Sequence, residues 1–195
     1  MKQLRCLMAA LGVVCFMSTG LPETASAQQA AATKAPAKIR KIKGDKVKTP
    51  RYSLASGNVS GRSRDWFQIS TEYETEPEWL DELKIQYYVL AMTKSGKKEQ
   101  SLFRGEVNYV NVEEGKHMSV MYLHPSTLSR YGDVQAVAVL LYAEGRLLGA
   151  ESEPSTSKRW WEQMTPRDGF LLNRMETPFA MINFDNYEAI KGGAK

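Results

Sequence analysis

The chain is poor in the residues that most chemistry needs. It has only two cysteines, Cys6 and Cys15, both close to the N-terminus. The rest of the chain therefore has neither a disulfide framework nor a cysteine zinc site. It has two histidines, His117 and His124, and neither has a second histidine or a cysteine at ligand spacing. A G-x-S-x-G elbow, a P-loop and a G-x-G-x-x-G loop are all missing. A Ser-His-Asp triad can be scattered along a sequence, but His117 stands beside a turn and His124 precedes Pro125, which are places for surface or edge histidines. The chain is accordingly expected to be no enzyme, with no catalytic residues, no metal and no cofactor. No apolar run approaches the roughly 20 residues that a membrane-spanning helix needs.

What is present begins with a leader. Lys2 and Arg5 precede the eleven-residue apolar run LMAALGVVCFM, and Ala25-Ser26-Ala27 fits a small-x-small cleavage site. Residues 1–27 are expected to be a cleaved signal peptide, with export to the periplasm, outer surface or exterior. Both cysteines would leave with it.

Charge is unevenly spread. From Gln28 to Arg51 eight basic residues face Asp45 alone, a balance of +7, whereas Tyr52 to Lys195 carries 16 basic and 20 acidic residues. The sequence pI of about 9.0 is thus made by one short segment. Rich in Ala, Lys and Pro, with little to bury, residues 28–50 read as a flexible basic linker. It is either a solvated spacer or a peripheral contact to anionic lipid or an acidic partner. No basic-aromatic pattern of a nucleic-acid-binding domain is present.

From Tyr52 onward the apolar residues recur at period two. In WFQISTEYE, Phe67, Ile69, Thr71 and Tyr73 share a face, and in LKIQYYVLAM, Leu83, Ile85, Tyr87, Val89 and Ala91 do the same. GEVNYVNV, a turn at EEGK and HMSVMYL continue the pattern, and VQAVAVLLYAEGRLLGAES is a hairpin around Glu144-Gly145. PSTLSRYGD has helical or turn character. The fold expected is an all-β, immunoglobulin-like antiparallel β-sandwich of about seven strands over residues 51–154. Trp79 is a candidate core plug. Past Pro154, residues 155–195 should pack on the sandwich as a short helix over SKRWWEQM, capped by Ser157, followed by an extended apolar wrap.

Seven carboxylates crowd between Asp65 and Glu82: Asp65, Glu72, Glu74, Glu76, Glu78, Asp81 and Glu82. Glu72 and Glu74 fall on the solvent face of a strand, Glu76-Pro77-Glu78 makes a corner, and Asp81 and Glu82 lead into the next strand. Such a wet corner carries carboxylates at little cost. A calcium site would need six to eight oxygens, and the D-x-D-x-D-G spacing is missing.

Aromatics are the better lead. Trp66 and Tyr88, with Tyr142, can face away from the core, and Trp160 and Trp161 point about 100° apart if helical. These rings suit stacking on sugars or anchoring a protein partner. Core packing is the other reading for each.

Three stretches, GDKVKTPRYSLASGNVSG, DWFQISTEYETEPEWLDELKIQYYVLAM and GFLLNRMETPFAMINFDNYEAI, together resemble a family of secreted proteins of mucin-degrading Verrucomicrobia, the Akkermansia type. That family is encoded beside type IV pilus-like machinery and has an immunoglobulin-like fold similar to the globular domain of archaeal type IV pilins. The resemblance implies adhesion, a pilus-associated role or contact with a host surface. A pilin keeps an apolar N-terminal helix after processing, whereas cleavage after Ala27 would leave the polar QQAAATKAPAK, so an accessory component fits better than a major pilin. The function expected is a non-enzymatic exported binding protein whose partners are pilus-like or surface assembly proteins, or a host glycan or protein. A carbohydrate-binding module using the exposed aromatics is the alternative. A periplasmic hydrolase, the third reading, rests on the two histidines alone.

Overall fold

The computed structural model describes residues 35–54, 57–58, 63–94 and 96–192. The expected signal peptide, 1–27, lies outside them. Strands β1 (Ala37–Lys48), β4 (Asp65–Met92), β5 (Gln100–Leu123), β6 (Asp133–Ala143), β7 (Arg146–Glu153), β8 (Leu171–Asn173) and β9 (Ala189–Ile190) form one antiparallel sheet, and β2 (Ser53–Leu54) pairs with β3 (Gly57–Asn58). The sheet order is β7-β6-β4-β5-β8, with β1 added to β4 and β9 to β5.

Two long strands organise everything. Residues 67–75 of β4 pair with 115–123 of β5, and residues 79–92 pair with 100–113. Between them the register shifts at Thr75/Trp79, where Pro77 has no N–H to give to a ladder. On the β5 side, Asn111 and Gly115 take positive φ (53° and 141°). A β-bulge of this kind bends and twists its strand. Each long strand therefore serves two layers: β1, the first part of β4, the last part of β5 and β8 form one, and β7, β6, the rest of β4, the rest of β5 and β9 form the other. This is the all-β sandwich expected from the alternation. The turn expected at EEGK is a bend within a single strand, because its residues continue to pair with β4.

The inward set follows the alternation. Ile69, Tyr73, Leu83, Ile85, Tyr87, Val89, Phe103, Tyr109, Met121, Leu123, Val139 and Leu141 are essentially inaccessible. Ser119 lies between the layers, and its hydroxyl oxygen accepts from Tyr87 (2.7 Å) and Tyr109 (2.8 Å).

Short connections fit the turn chemistry. Glu144 and Gly145 both have positive φ (52° and 73°), as a tight hairpin needs. Helix α1 (Pro125–Tyr131) has Pro in its first turn, and His124 caps it by accepting from the Ser126 N–H (3.1 Å). Gly132 ends α1 at φ 90°, and a Cβ there would stand 1.9 Å from the Met92 carbonyl oxygen, so only glycine fits.

Three expectations are corrected. Residues 37–48 of the expected flexible linker form β1, which pairs with β4 from Ala37↔Thr75 to Lys48↔Asp65. Its apolar residues are few but well placed: Ala37 and Ile39 are buried and Ile42 packs against them. Trp79 is no core plug, being 53% exposed at the bend. The expected two-turn helix is a single 3-10 turn, Trp160–Glu162, preceded by Arg159 rather than capped by Ser157. The C-terminal wrap is present as two short strands separated by 3-10 turns, and Phe179 is buried against Trp66, Val120 and Tyr122.

Candidate functional site

The sandwich has two outer faces. On the first layer, Lys38, Lys41 and Lys43 of β1 lie across from Glu74, Glu72 and Ser70 of β4, and Lys116 of β5 lies across from Glu74 on the other side. Opposite charges directly across strands are favourable. The acidic stretch is thus neutralised by the basic segment. Arg40 bonds Glu74, Lys48 bonds Asp65 (2.8 Å) and Lys191 bonds Glu82 (2.7 Å). Among the described residues, no group of three or more His, Cys, Asp or Glu is placed to hold a metal ion.

The histidines sit in structural roles. The His117 ring stacks on Tyr73 (5.2 Å between centroids), its Nε2 faces Thr75 Oγ1 (3.0 Å) and the Glu113 carbonyl (2.9 Å), and its Nδ1 faces Glu188 (2.8 Å). His124 caps α1 and lies edge-on to Trp66 (4.8 Å). His124 Nδ1 also faces Ser126 Oγ (2.6 Å), a contact made within that cap.

Trp66 is corrected as a binding residue. It is 5% exposed, its indole N–H donates to Thr49 Oγ1 (3.1 Å), and it packs edge-on to Tyr122 and Phe179. It is core of the first outer face, covered by the C-terminal segment.

The other three expected residues converge. On the outer face of the second layer, Trp161 is buried over Ala138 and Leu140 of β6, and Tyr88, Tyr142 and Trp160 pack around it, each partly exposed. The adjacent indoles are 5.5 Å apart and edge-on, so one ring seats the other. Register explains the grouping: Tyr88 lies across from Ala138, and Tyr142 lies across from Lys84. Both tyrosines occupy the outward positions of an alternation whose inward positions fill the core. The small Ala138 leaves room for the Trp161 ring. Burial raises the Tyr142 hydroxyl above its ordinary pKa.

Polar side chains frame the rings. Arg104, across from Tyr88, makes a two-point contact with Asp168 (2.8 Å for each bond). That bond holds Asp168 below its ordinary pKa and Arg104 above its own. Lys84 pairs with Glu106 (3.1 Å), and Arg159 pairs with Glu162 (3.3 Å) on the turn that carries Trp160. Gln86 accepts from the Tyr88 hydroxyl (3.1 Å). Beside the turn an open hollow of about 360 Å³ is lined by Leu147, Gly149, Thr156, Ser157, Arg159 and Trp161. Sequence reasoning found Tyr88, Tyr142 and the tryptophan pair by type and parity. It missed Arg104, Asp168, Lys84 and Glu106, whose grouping depends on which strands become neighbours.

This arrangement offers flat apolar rings and oriented hydrogen-bonding groups, the makings of a recognition surface.

Comparison with known proteins gives kinship and fold. No curated protein matches the chain. A crystal structure from Akkermansia muciniphila matches with a TM-score of 0.71 at 20% sequence identity, covering 81% of this chain and 94% of that one. At that identity the likeness is one of fold. A protein-family model matches residues 28–193, well over half of the chain, and the chain belongs to that family.

Proposed function

We propose that the protein is a non-enzymatic, exported binding or accessory protein that works at the cell surface, in association with pilus-like or other surface assemblies or in contact with a host surface. The observation that carries this reading is the Tyr88–Tyr142–Trp160 surface, where three large rings stay partly exposed within a polar frame. Aromatic residues of this kind are enriched where proteins meet partners. Family membership and the fold shared with an Akkermansia protein agree with it. Export by the expected leader, with the mature chain starting at Gln28, is part of the proposal.

The test has two arms. Mass spectrometry of the secreted protein reads its N-terminus, expected at Gln28. Crosslinking on intact cells, followed by identification of the attached protein, compares the wild type with a Tyr88→Ala/Trp160→Ala variant. The reading requires adducts with surface-assembly or host-surface components that the variant loses. Cytosolic residence, or an unchanged adduct pattern, overturns it. The same aromatic surface favours the second reading, a carbohydrate-binding module.

A further inference from the structure

We infer that a hollow beside helix α1 binds the sulfate or phosphate monoester of a sugar, with Arg64 and Arg130 holding the oxyanion. The hollow measures about 430 Å³ and is lined by Arg64, Pro125, Ser126, Ser129 and Arg130. It shares no residue with the Tyr88–Tyr142–Trp160 surface, and the inference does not rest on that surface being a binding face.

Sequence spacing and fold bring these side chains together. Ser126, Ser129 and Arg130 stand at i, i+3 and i+4 on α1, which puts them on one face of the helix. Arg64 stands just before β4, and its backbone is held there. Its N–H donates to Thr49 Oγ1 (3.1 Å), and its carbonyl accepts from the Thr49 N–H (2.9 Å). The Arg130 guanidinium lies over the buried Tyr131 ring, 5.1 Å from the centroid. Both arginines are exposed, and among the described residues neither guanidinium has an ion pair or a hydrogen bond. The nearest acids in sequence are engaged elsewhere: Asp65 pairs with Lys48 (2.8 Å), and Asp133 pairs with Lys94 (3.1 Å) and Lys46 (3.5 Å). No carboxylate lines the hollow among the described residues. Two like charges thus share one hollow unneutralised, and they repel each other until an anion enters.

The donors select the ligand class. A guanidinium presents its N–H groups as a rigid fork that matches an oxyanion. One fork satisfies both oxygens of a carboxylate. Two forks and a hydroxyl suit the three terminal oxygens of a sulfate or phosphate monoester. Ser129 supplies that hydroxyl. Ser126 plays the other part: its N–H and its hydroxyl both face His124 Nδ1 (3.1 and 2.6 Å), so the hydroxyl donates to the ring and its oxygen is left to accept. A sugar hydroxyl next to the ester meets that oxygen. Apart from Pro125 the lining side chains are polar and none is aromatic, which favours a hydroxylated carrier over an acyl chain or an aryl ring. The hollow is far larger than a bare ion, so the sugar that carries the ester has room within it.

Calorimetry and saturation-transfer NMR on the purified protein test this, with galactose-6-sulfate and glucose-6-phosphate as probes. Galactose and glucose are the uncharged controls, and glucuronate is the carboxylate control. At least one ester is expected to saturate with a Kd below about 1 mM in roughly 50 mM NaCl, weakening at least about fivefold at roughly 500 mM because exposed charges are screened. Saturation by either ester supports the site, and the tighter of the two identifies the source as a sulfated or a phosphorylated sugar. Arg64→Ala and Arg130→Ala should each weaken binding about tenfold, equivalent to about 1.4 kcal/mol. Arg130→Lys keeps the charge and loses the fork, and should weaken it about threefold. Lys98→Ala removes an exposed cation elsewhere and should leave the Kd unchanged. Circular dichroism checks that each variant is folded, and Arg64→Gln stands in for Arg64→Ala if that one is not. Saturation by neither ester below about 10 mM, or glucuronate binding as tightly as the esters, overturns the inference. So does ester binding that the folded arginine variants leave intact, or that Lys98→Ala weakens as much as they do.

Discussion

The hydroxyl oxygen of Ser119 accepts bonds from Tyr87 and Tyr109 inside the sandwich. Ser119→Ala would leave two buried phenolic donors without that acceptor, and an unsatisfied buried donor costs about 1–3 kcal/mol. Urea denaturation should show a loss of about 2–4 kcal/mol with little change in the burial of surrounding side chains. An unchanged midpoint would show that the two hydroxyls find other acceptors. At this scale the sequence was legible where polarity and parity agree. Glu72 and Glu74 were placed on a solvent face by period-two counting, and there they stand across from Lys41 and Lys38. Trp66 was misplaced for a physical reason. It occupies an outward strand position, but Phe179, distant in sequence, folds over that face and buries it.

At the scale of elements, β1 is the clearest departure from expectation. Lysine and arginine fill half of its positions, and only Ala37, Ile39, Ile42 and Val47 turn toward apolar neighbours. Composition in a short window reports the average, and this average is that of a solvated tail. The strand forms because β4 offers a long unpaired edge with acids on its outer face, which no local pattern reveals. Deletion of residues 28–50 should therefore unfold or aggregate the protein rather than merely shorten it. It would expose the edge of β4 and uncover Ile69 and Tyr73. Thermal melting of the truncated chain checks this, and retention of the full Tm would refute the role given to β1. By contrast, the β6–β7 hairpin and α1 were legible, because Glu144-Gly145 and Pro125 carry their own backbone instructions. The Trp160–Glu162 turn was legible as a pair of rings but not as a geometry, since adjacent tryptophans fit both a helix and a tight turn.

Across the whole molecule, the interior is unusually phenolic. Tyr73, Tyr87, Tyr109 and Tyr122 are all buried, and burial raises each hydroxyl above its ordinary pKa, that of Tyr109 to about 12. In the unfolded chain these groups ionise near pH 10. Their contribution to stability is fully present below that pH. It falls as pH rises above it, because the unfolded state gives up protons that the folded state keeps. Urea midpoints should be level from about pH 8 to 10 and drop steeply by about pH 11. A midpoint that stays level through about pH 11 would contradict this account.

The two strands that run through both layers impose an order of events on a chain delivered from its N-terminus. The first segment to arrive, Ala37–Lys48, needs β4 before it has a partner, β4 needs β5, and the cover over Trp66 waits for Phe179. The final pair, Ala189–Ile190, closes onto Tyr109 and Val110 only when almost the whole polypeptide has emerged. Most pairings span long sequence distances, which slows acquisition of the native state. A polypeptide arranged this way completes its sheet only when the Ala189–Ile190 strand is in place.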